Sequence, residues 1–135
     1  MKILKLLALG VGLAFVLALP AIASAPLPLT PPFATKSEVE LLISHYSAKY
    51  GVNEAVMRGV VGCESGGSTT IQSANILNGK REESYGLVQI HLPDHPEVTK
   101  EQAQDPDFAL DFLAKNLKDG KGSLWTCHRN LYGNI

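Results

Sequence analysis

Glu64 is the residue of this chain best suited to acid–base chemistry, because it extends an apolar helical face. The run V-M-R-G-V-V-G-C-E at positions 56–64 has the composition of a short apolar helix. The i, i+3, i+4, i+7 spacing of one helical face is occupied by Met57, Val60, Val61 and Glu64. A carboxyl group in such a setting is poorly solvated when ionised, so we expect its pKa to be raised. A carboxyl that stays protonated near neutral pH is what a general acid for glycoside cleavage requires.

The residues that follow Glu64 indicate that this carboxyl is accessible. Ser65, Gly66 and Gly67 break the helix, which would leave Glu64 at the lip of an open space. The alternative is a buried structural acid whose oxygens are satisfied by loop amides. The sequence alone leaves both interpretations open.

Three segments in a fixed order resemble the lytic transglycosylase domains (SLT, goose-lysozyme-like). They are E-S-G-G at 64–67, S-Y-G-L-V-Q-I at 84–90 and Q-A-Q-D-P at 102–106. The resemblance covers roughly positions 36–127. Three departures are visible: the segment between the first two motifs is longer than is usual in the family, the proline that usually follows Q-I-x is displaced to Pro93, and the family's later A-Y-N-x-G segment is not evident.

The resemblance implies cleavage of the β-1,4 bond between N-acetylmuramic acid and N-acetylglucosamine in peptidoglycan. Glu64 would protonate the glycosidic oxygen and then act as base on the C6 hydroxyl of the muramic acid, which closes a 1,6-anhydro ring. One protein carboxylate suffices for this route. No cofactor and no metal are expected, the partner is the glycan strand, and we expect a monomer.

The 84–90 segment supplies the expected substrate contacts. Gln89 would hydrogen-bond the acetamido groups of the sugar, or else support the loop. Ser84 is a candidate cleft residue, and Gly86 would let the backbone approach the sugar closely. Tyr85 would stack on a sugar face or pack in the core.

Glu82 and Glu83 raise a second mechanistic possibility. A retaining or inverting hydrolase needs a second carboxylate at about 5 to 9 Å from the first, and these two acids are the nearest to Glu64 in sequence. With one of them, the enzyme would be a lysozyme-type hydrolase. The alternative is that both are solvated charges beside Lys80 and Arg81.

A metal-dependent hydrolase is a rival from another mechanistic class. His91, Asp94 and His95 lie close together and could bind zinc. Pro93 and Pro96 prevent the helical presentation that such ligands use, and the sequence offers no further partner.

A non-catalytic glycan-binding module on the same fold is the other rival. The absent A-Y-N-x-G segment favours it, since Tyr132 stands in a different context. The intact Glu64 argues against it, because binding alone has no use for an acid there.

Cys63 and Cys127 are the two cysteines of the chain. An exported protein can keep a disulfide, and an even count suits one. Such a bond would connect the end of the Glu64 helix to the C-terminal segment. In the chain-entropy model it would add about 4 kcal/mol to the free energy of unfolding. The alternative is two separate buried thiols.

The N-terminal segment predicts export. Positions 1–23 combine Lys2 and Lys5 with an apolar stretch and an A-x-A motif, which predicts a secretory signal peptide or an uncleaved membrane anchor. A Pro-rich linker follows at 24–35, and positions 36–135 form one small domain. We therefore expect a secreted, periplasmic or cell-envelope protein.

The charge balance excludes one class of partner. The chain has 12 basic and 13 acidic side chains and a formal net charge of −1. Nucleic acid is therefore not an expected partner, and affinity for a cell wall would have to come from a shaped cleft.

The elements that must position these residues are mainly helical. The periodicity and capping signals predict an α+β lysozyme-like fold with an irregular, short-stranded central cleft region. The predicted helices are 36–50, a second that starts after Asn53 and carries Glu64, a single turn after Thr99, a fourth from Asp105 to Gly120, and a last short one near 123–127.

Overall fold

The computed structural model describes residues 34–133, and the predicted mainly helical α+β fold is confirmed in this range. The predicted export segment and most of the predicted linker lie outside the described residues. The helices are α1 Lys36–Tyr50, α2 Glu54–Ser65, α3 Lys100–Gln104, α4 Pro106–Lys118 and α5 Thr126–Tyr132. Two 3₁₀ turns, Leu92–Asp94 and Gly122–Leu124, precede α3 and α5. Within residues 34–133, none of the helices has the length and apolar character that a membrane crossing requires.

The helix boundaries follow from the capping residues, as predicted. Thr35 and Glu38 form a reciprocal capping box at the start of α1, and Gly51 ends that helix in a left-handed conformation. The side chain of Asn53 accepts hydrogen bonds from two backbone amides of α2, and Asp105 does the same for α4. These caps satisfy amide groups that no helical partner reaches.

One hydrophobic core joins the helices to the central region. Helix α1 contributes Val39, Ile43 and Tyr46, which are buried. In α4, Leu110 is fully buried, whereas Phe108 is partly buried and packs against the core. Several further residues of the core have no exposed area: Met57, Val60, Leu87, Val88, Ala103, Ala109, Leu113 and Ala114.

The central region, which the sequence predicts to be irregular and short-stranded, contains two short antiparallel ribbons. Strands β1 Ile76–Leu77 and β2 Lys80–Arg81 form an exposed hairpin. Its turn is Asn78–Gly79, in which both residues have positive φ. Strands β3 Ser84–Tyr85 and β4 Ile90–His91 form the second ribbon, which carries the 84–90 motif.

A disulfide between Cys63 and Cys127 joins the end of α2 to the start of α5, with a Cα–Cα distance of 5.8 Å. The predicted pairing is confirmed. Because α5 has only seven residues, it is too short to be stable as an isolated helix. The covalent bond and the packing of α5 against α2 therefore hold this segment in place.

Loss of the disulfide should destabilise the domain. We expect the Cys63→Ala/Cys127→Ala variant to lose about 4 kcal/mol of the free energy of unfolding, because the unfolded chain regains a long open loop. Urea denaturation of the parent with and without reductant measures this loss. The double variant should not respond to reductant, and equal stability of the two proteins would contradict the prediction.

Candidate active site

A cleft of about 560 Å³ opens beside Glu64. Its walls come from the end of α2, the segment 71–75, the β3–β4 ribbon and the residues that lead into α5. Most of the lining side chains are polar, in contrast to the core beneath. The cleft therefore has the character of a site for a polar ligand.

Glu64 lies at the lip of this cleft, half-buried, in the last turn of α2. Its Oε1 accepts a hydrogen bond from the Cys127 backbone N–H at 3.2 Å. Burial raises the pKa of the Glu64 carboxyl above its ordinary value, and the negative charge of Glu82 raises it further. The Cys127 amide and the charge of Arg129 oppose this rise. The net shift favours the protonated form, which is the form that can donate a proton.

The turn after Glu64 is fixed by Ser65. Its hydroxyl donates to the Val61 carbonyl at 3.1 Å and accepts from the Gly67 amide at the same distance. Gly66 takes the left-handed conformation that ends the helix. Ser65 therefore positions the backbone next to Glu64, and it is buried.

Glu82 lines the same cleft, and its carboxylate is held by three neutral donors. Oε2 accepts from the Ser73 hydroxyl at 2.6 Å and from the Asn75 amide at 2.8 Å, and Oε1 accepts from the Ser84 hydroxyl at 3.0 Å. The hydrogen bond from Ser73 lowers the pKa of Glu82, and the bonds from Asn75 and Ser84 lower it too, against partial burial. Glu83, by contrast, is exposed.

Ser84 and Gln89 both line the cleft. Ser84 is only 3% exposed, and its hydroxyl lies 3.1 Å from Nδ1 of His91 as well as contacting Glu82. Gln89 has a positive φ of 49°, and its side-chain amide donates to the carbonyls of Ile71 and Gly86. These two predicted residues are thus brought together with Glu64.

Tyr85 and Gly86 do not line the cleft. Tyr85 is 7% exposed and packs in the core, and the Lys100 ammonium lies 4.9 Å from its ring centroid. Gly86 has a φ of 76°, and a Cβ there would lie 1.8 Å from the carbonyl oxygen of Ala103. The close backbone approach at Gly86 is therefore to α3. A sugar contact by either residue stays a prediction.

Trp125 and Thr126 line the cleft but were missed by sequence reasoning. The indole N–H of Trp125 donates to the Val88 carbonyl at 2.8 Å, which ties the α5 approach to the β3–β4 ribbon. The pairing of the two cysteines was the signal that could have found them. A bond from Cys63 to Cys127 must bring the neighbours of one cysteine to those of the other.

The histidines proposed for zinc have different surroundings. His91 faces Ser84, whereas His95 packs edge-on against Phe112 with 5.0 Å between ring centroids. In the described range 34–133, no group of three or more His, Cys, Asp or Glu side chains could hold a metal ion.

Comparisons with models of protein families, with curated proteins and with solved structures found no match for this chain.

Replacement of Glu64 should stabilise the fold at high pH. A raised pKa means that the folded state favours the protonated carboxyl, so its stabilising effect is present at low pH and is lost as the pH rises through the folded-state pKa. We expect Glu64→Gln to raise the free energy of unfolding at pH 8 by roughly 0.5 kcal/mol, a size discounted for the solvent that reaches a half-buried group.

Urea denaturation at pH 8 and pH 3 measures this difference, which should vanish at pH 3. Glu83→Gln, at an exposed position, is the matched control. A destabilised Glu64→Gln protein at pH 8 would argue that the ionised carboxylate is structural.

Two glycines with nearly the same positive φ should differ in their tolerance of alanine. Gly79 has a φ of 77° and no atom within 4 Å of an added Cβ, whereas Gly86 meets the α3 backbone. Gly79→Ala should cost about 1 kcal/mol from backbone conformation alone. Gly86→Ala should cost about 3 kcal/mol or more, because a steric clash is added. Equal melting temperatures for the two variants would rule out the close packing described.

Proposed function

We propose that this protein is a lytic transglycosylase. It cleaves the β-1,4 bond between N-acetylmuramic acid and N-acetylglucosamine in peptidoglycan, with Glu64 as its acid. The observation that carries the proposal is a half-buried carboxyl with a raised pKa at the lip of a polar cleft. The resemblance of the 64–67 and 84–90 segments to the transglycosylase motifs supports the same substrate.

The chemistry assigned to Glu64 uses both of its protonation states. Its proton passes to the glycosidic oxygen as the bond to the anomeric carbon breaks. The resulting carboxylate then takes the proton of the muramic acid C6 hydroxyl, whose oxygen closes the 1,6-anhydro ring. Glu64 returns to its protonated form, so the cycle consumes no water.

Gln89 is the proposed partner of the substrate's acetamido groups. Its amide nitrogen is engaged by the carbonyls of Ile71 and Gly86. The amide oxygen has no hydrogen-bond partner among residues 34–133, so it is available to accept a hydrogen bond from an acetamido N–H.

A lysozyme-type hydrolase is the second candidate. It is favoured by one observation, namely that Glu82 lines the same cleft and is held in its ionised form. In that case water would take the place of the C6 hydroxyl, and the products would carry a reducing end.

The disulfide supports a site of action outside the cytoplasm. Disulfides persist in oxidising compartments, so we propose a secreted protein or one of the periplasm or cell envelope.

Product analysis tests the proposal. Purified full-length protein is incubated with isolated peptidoglycan, and the soluble products are examined by mass spectrometry. We expect anhydro-muropeptides from the parent and at least about a 1,000-fold lower rate from Glu64→Gln, because the general acid is lost. Glu83→Gln serves as the charge-matched control and should retain activity.

Each other outcome points to a different function. Reducing-end muropeptides would establish the hydrolase. Release of no products, together with co-sedimentation of parent and Glu64→Gln with the wall, would replace catalysis by a glycan-binding module.

A further inference from the structure

We propose that Glu82 is a second catalytic residue, whose carboxylate contacts the sugar at the cleavage point and stabilises the positive charge that develops there. The inference rests on the proposed function and adds a residue to it. The transglycosylase motifs that the chain resembles contain one acid, so Glu82 is assigned from its position in this cleft.

The location of Glu82 places its carboxylate within the candidate site. Glu82 and Glu64 line the same cleft, and the charge of Glu82 acts on the Glu64 carboxyl. The Glu82 side chain retains 19% of its exposure, so ligand can reach it. The three donors that hold it, Ser73, Asn75 and Ser84, line the cleft too.

The carboxylate of Glu82 is hydrogen-bonded by neutral donors, and no lysine or arginine of the described residues neutralises its charge. Four other carboxylates of the described residues are paired with lysine or arginine: Asp111 with Lys49 and Lys115, Glu40 and Glu54 with Arg58, and Asp119 with Lys121. Within residues 34–133, Glu82 has no such partner, and the nearest basic group is Nδ1 of His91 at 3.7 Å. A carboxylate that serves only to anchor a loop gains from a cation, whereas one that must meet positive charge on a substrate is better left without one.

The two carboxyl groups are suited to opposite ends of the breaking bond. As the bond between the anomeric carbon and the glycosidic oxygen breaks, its electron pair goes to the oxygen, which receives the proton of Glu64. The positive charge left on the sugar ring faces Glu82, which stays ionised throughout. The C6 hydroxyl or water then adds to the anomeric carbon and returns a proton to Glu64, so the role of Glu82 is the same for either product.

Environments that separate two carboxyl groups in this way are typical of glycosidase acid pairs. Burial favours the neutral form of Glu64, while hydroxyl and amide donors favour the ionised form of Glu82. Among residues 34–133, the other charged or titratable groups facing the pair are Arg129 near Glu64, His91 beside Glu82, and Asp94 on the cleft lining.

Steady-state kinetics of Glu82→Gln on soluble peptidoglycan fragments test the inference. Glutamine keeps the shape and can still accept hydrogen bonds, but it lacks the charge. We expect kcat to fall about 100-fold with little change in KM, because the lost interaction belongs to the transition state. The adjacent exposed Glu83→Gln has the same change in charge and should match the parent.

The pH profile of kcat provides a readout that a purely structural role would not move. Removal of the Glu82 charge lowers the pKa of Glu64. The alkaline limb, on which Glu64 loses its proton, should therefore shift to lower pH in Glu82→Gln and stay in place in Glu83→Gln.

Failure of this inference can be separated from failure of the proposed function. An active Glu64→Gln protein would overturn the proposed function. If Glu64→Gln is inactive while Glu82→Gln stays within about threefold of the parent, with its alkaline limb unmoved, Glu82 is an anchor and only the second assignment falls.

A milder variant covers the case in which Glu82→Gln does not fold. Asn75→Ala removes one donor at an exposed position and leaves the carboxylate in place. The loss of this donor raises the pKa of Glu82, so the acidic limb of the kcat profile should shift to higher pH. An acidic limb that does not move would overturn the inference.

Discussion

The link between α2 and α5 is the constraint on which the candidate site depends. The disulfide fixes Cys127 beside the last turn of α2, and the amide of the same cysteine donates to Oε1 of Glu64. One residue thus supplies both the covalent tie and the hydrogen bond that orients the acid. The segment Leu124–Thr126, which forms one wall of the cleft, is brought to Glu64 by the same connection.

The amide of Cys127 also limits the rise in the pKa of Glu64. An N–H donor favours the ionised carboxylate, whereas burial favours the neutral acid. Because burial is the larger effect, the pKa of Glu64 is raised, yet the donor remains to stabilise the carboxylate when the proton has left. The acid–base role proposed for Glu64 requires both the neutral and the ionised carboxyl, and these opposing effects act on the two forms in opposite directions.

Local signals in the sequence predicted the helices well, and the site less completely. The caps at Thr35, Asn53 and Asp105 are decided within one turn of chain, so they could be read directly. Glu64 was found for a similar reason, since the helical face and the glycines after it are local. The cleft wall at 71–75 carries no periodic pattern, because its polar residues are ordered by contacts with Glu82. Only the folded chain brings those partners together. The same holds for Gly86, where the close approach of the α3 backbone leaves no room for a side chain.

The base of the β1–β2 hairpin adjoins the cleft, whereas the tip of the hairpin does not line it. At the base of the hairpin, Glu82 accepts hydrogen bonds from Ser73, Asn75 and Ser84. The Arg81 guanidinium donates to the carbonyls of residues 72 and 73 in the same region. The turn at Asn78–Gly79 takes no part in these bonds. An insertion that lengthens the hairpin at that turn, whether it arises in evolution or is an engineered tag, would therefore leave the distance between the Glu64 and Glu82 carboxylates unchanged.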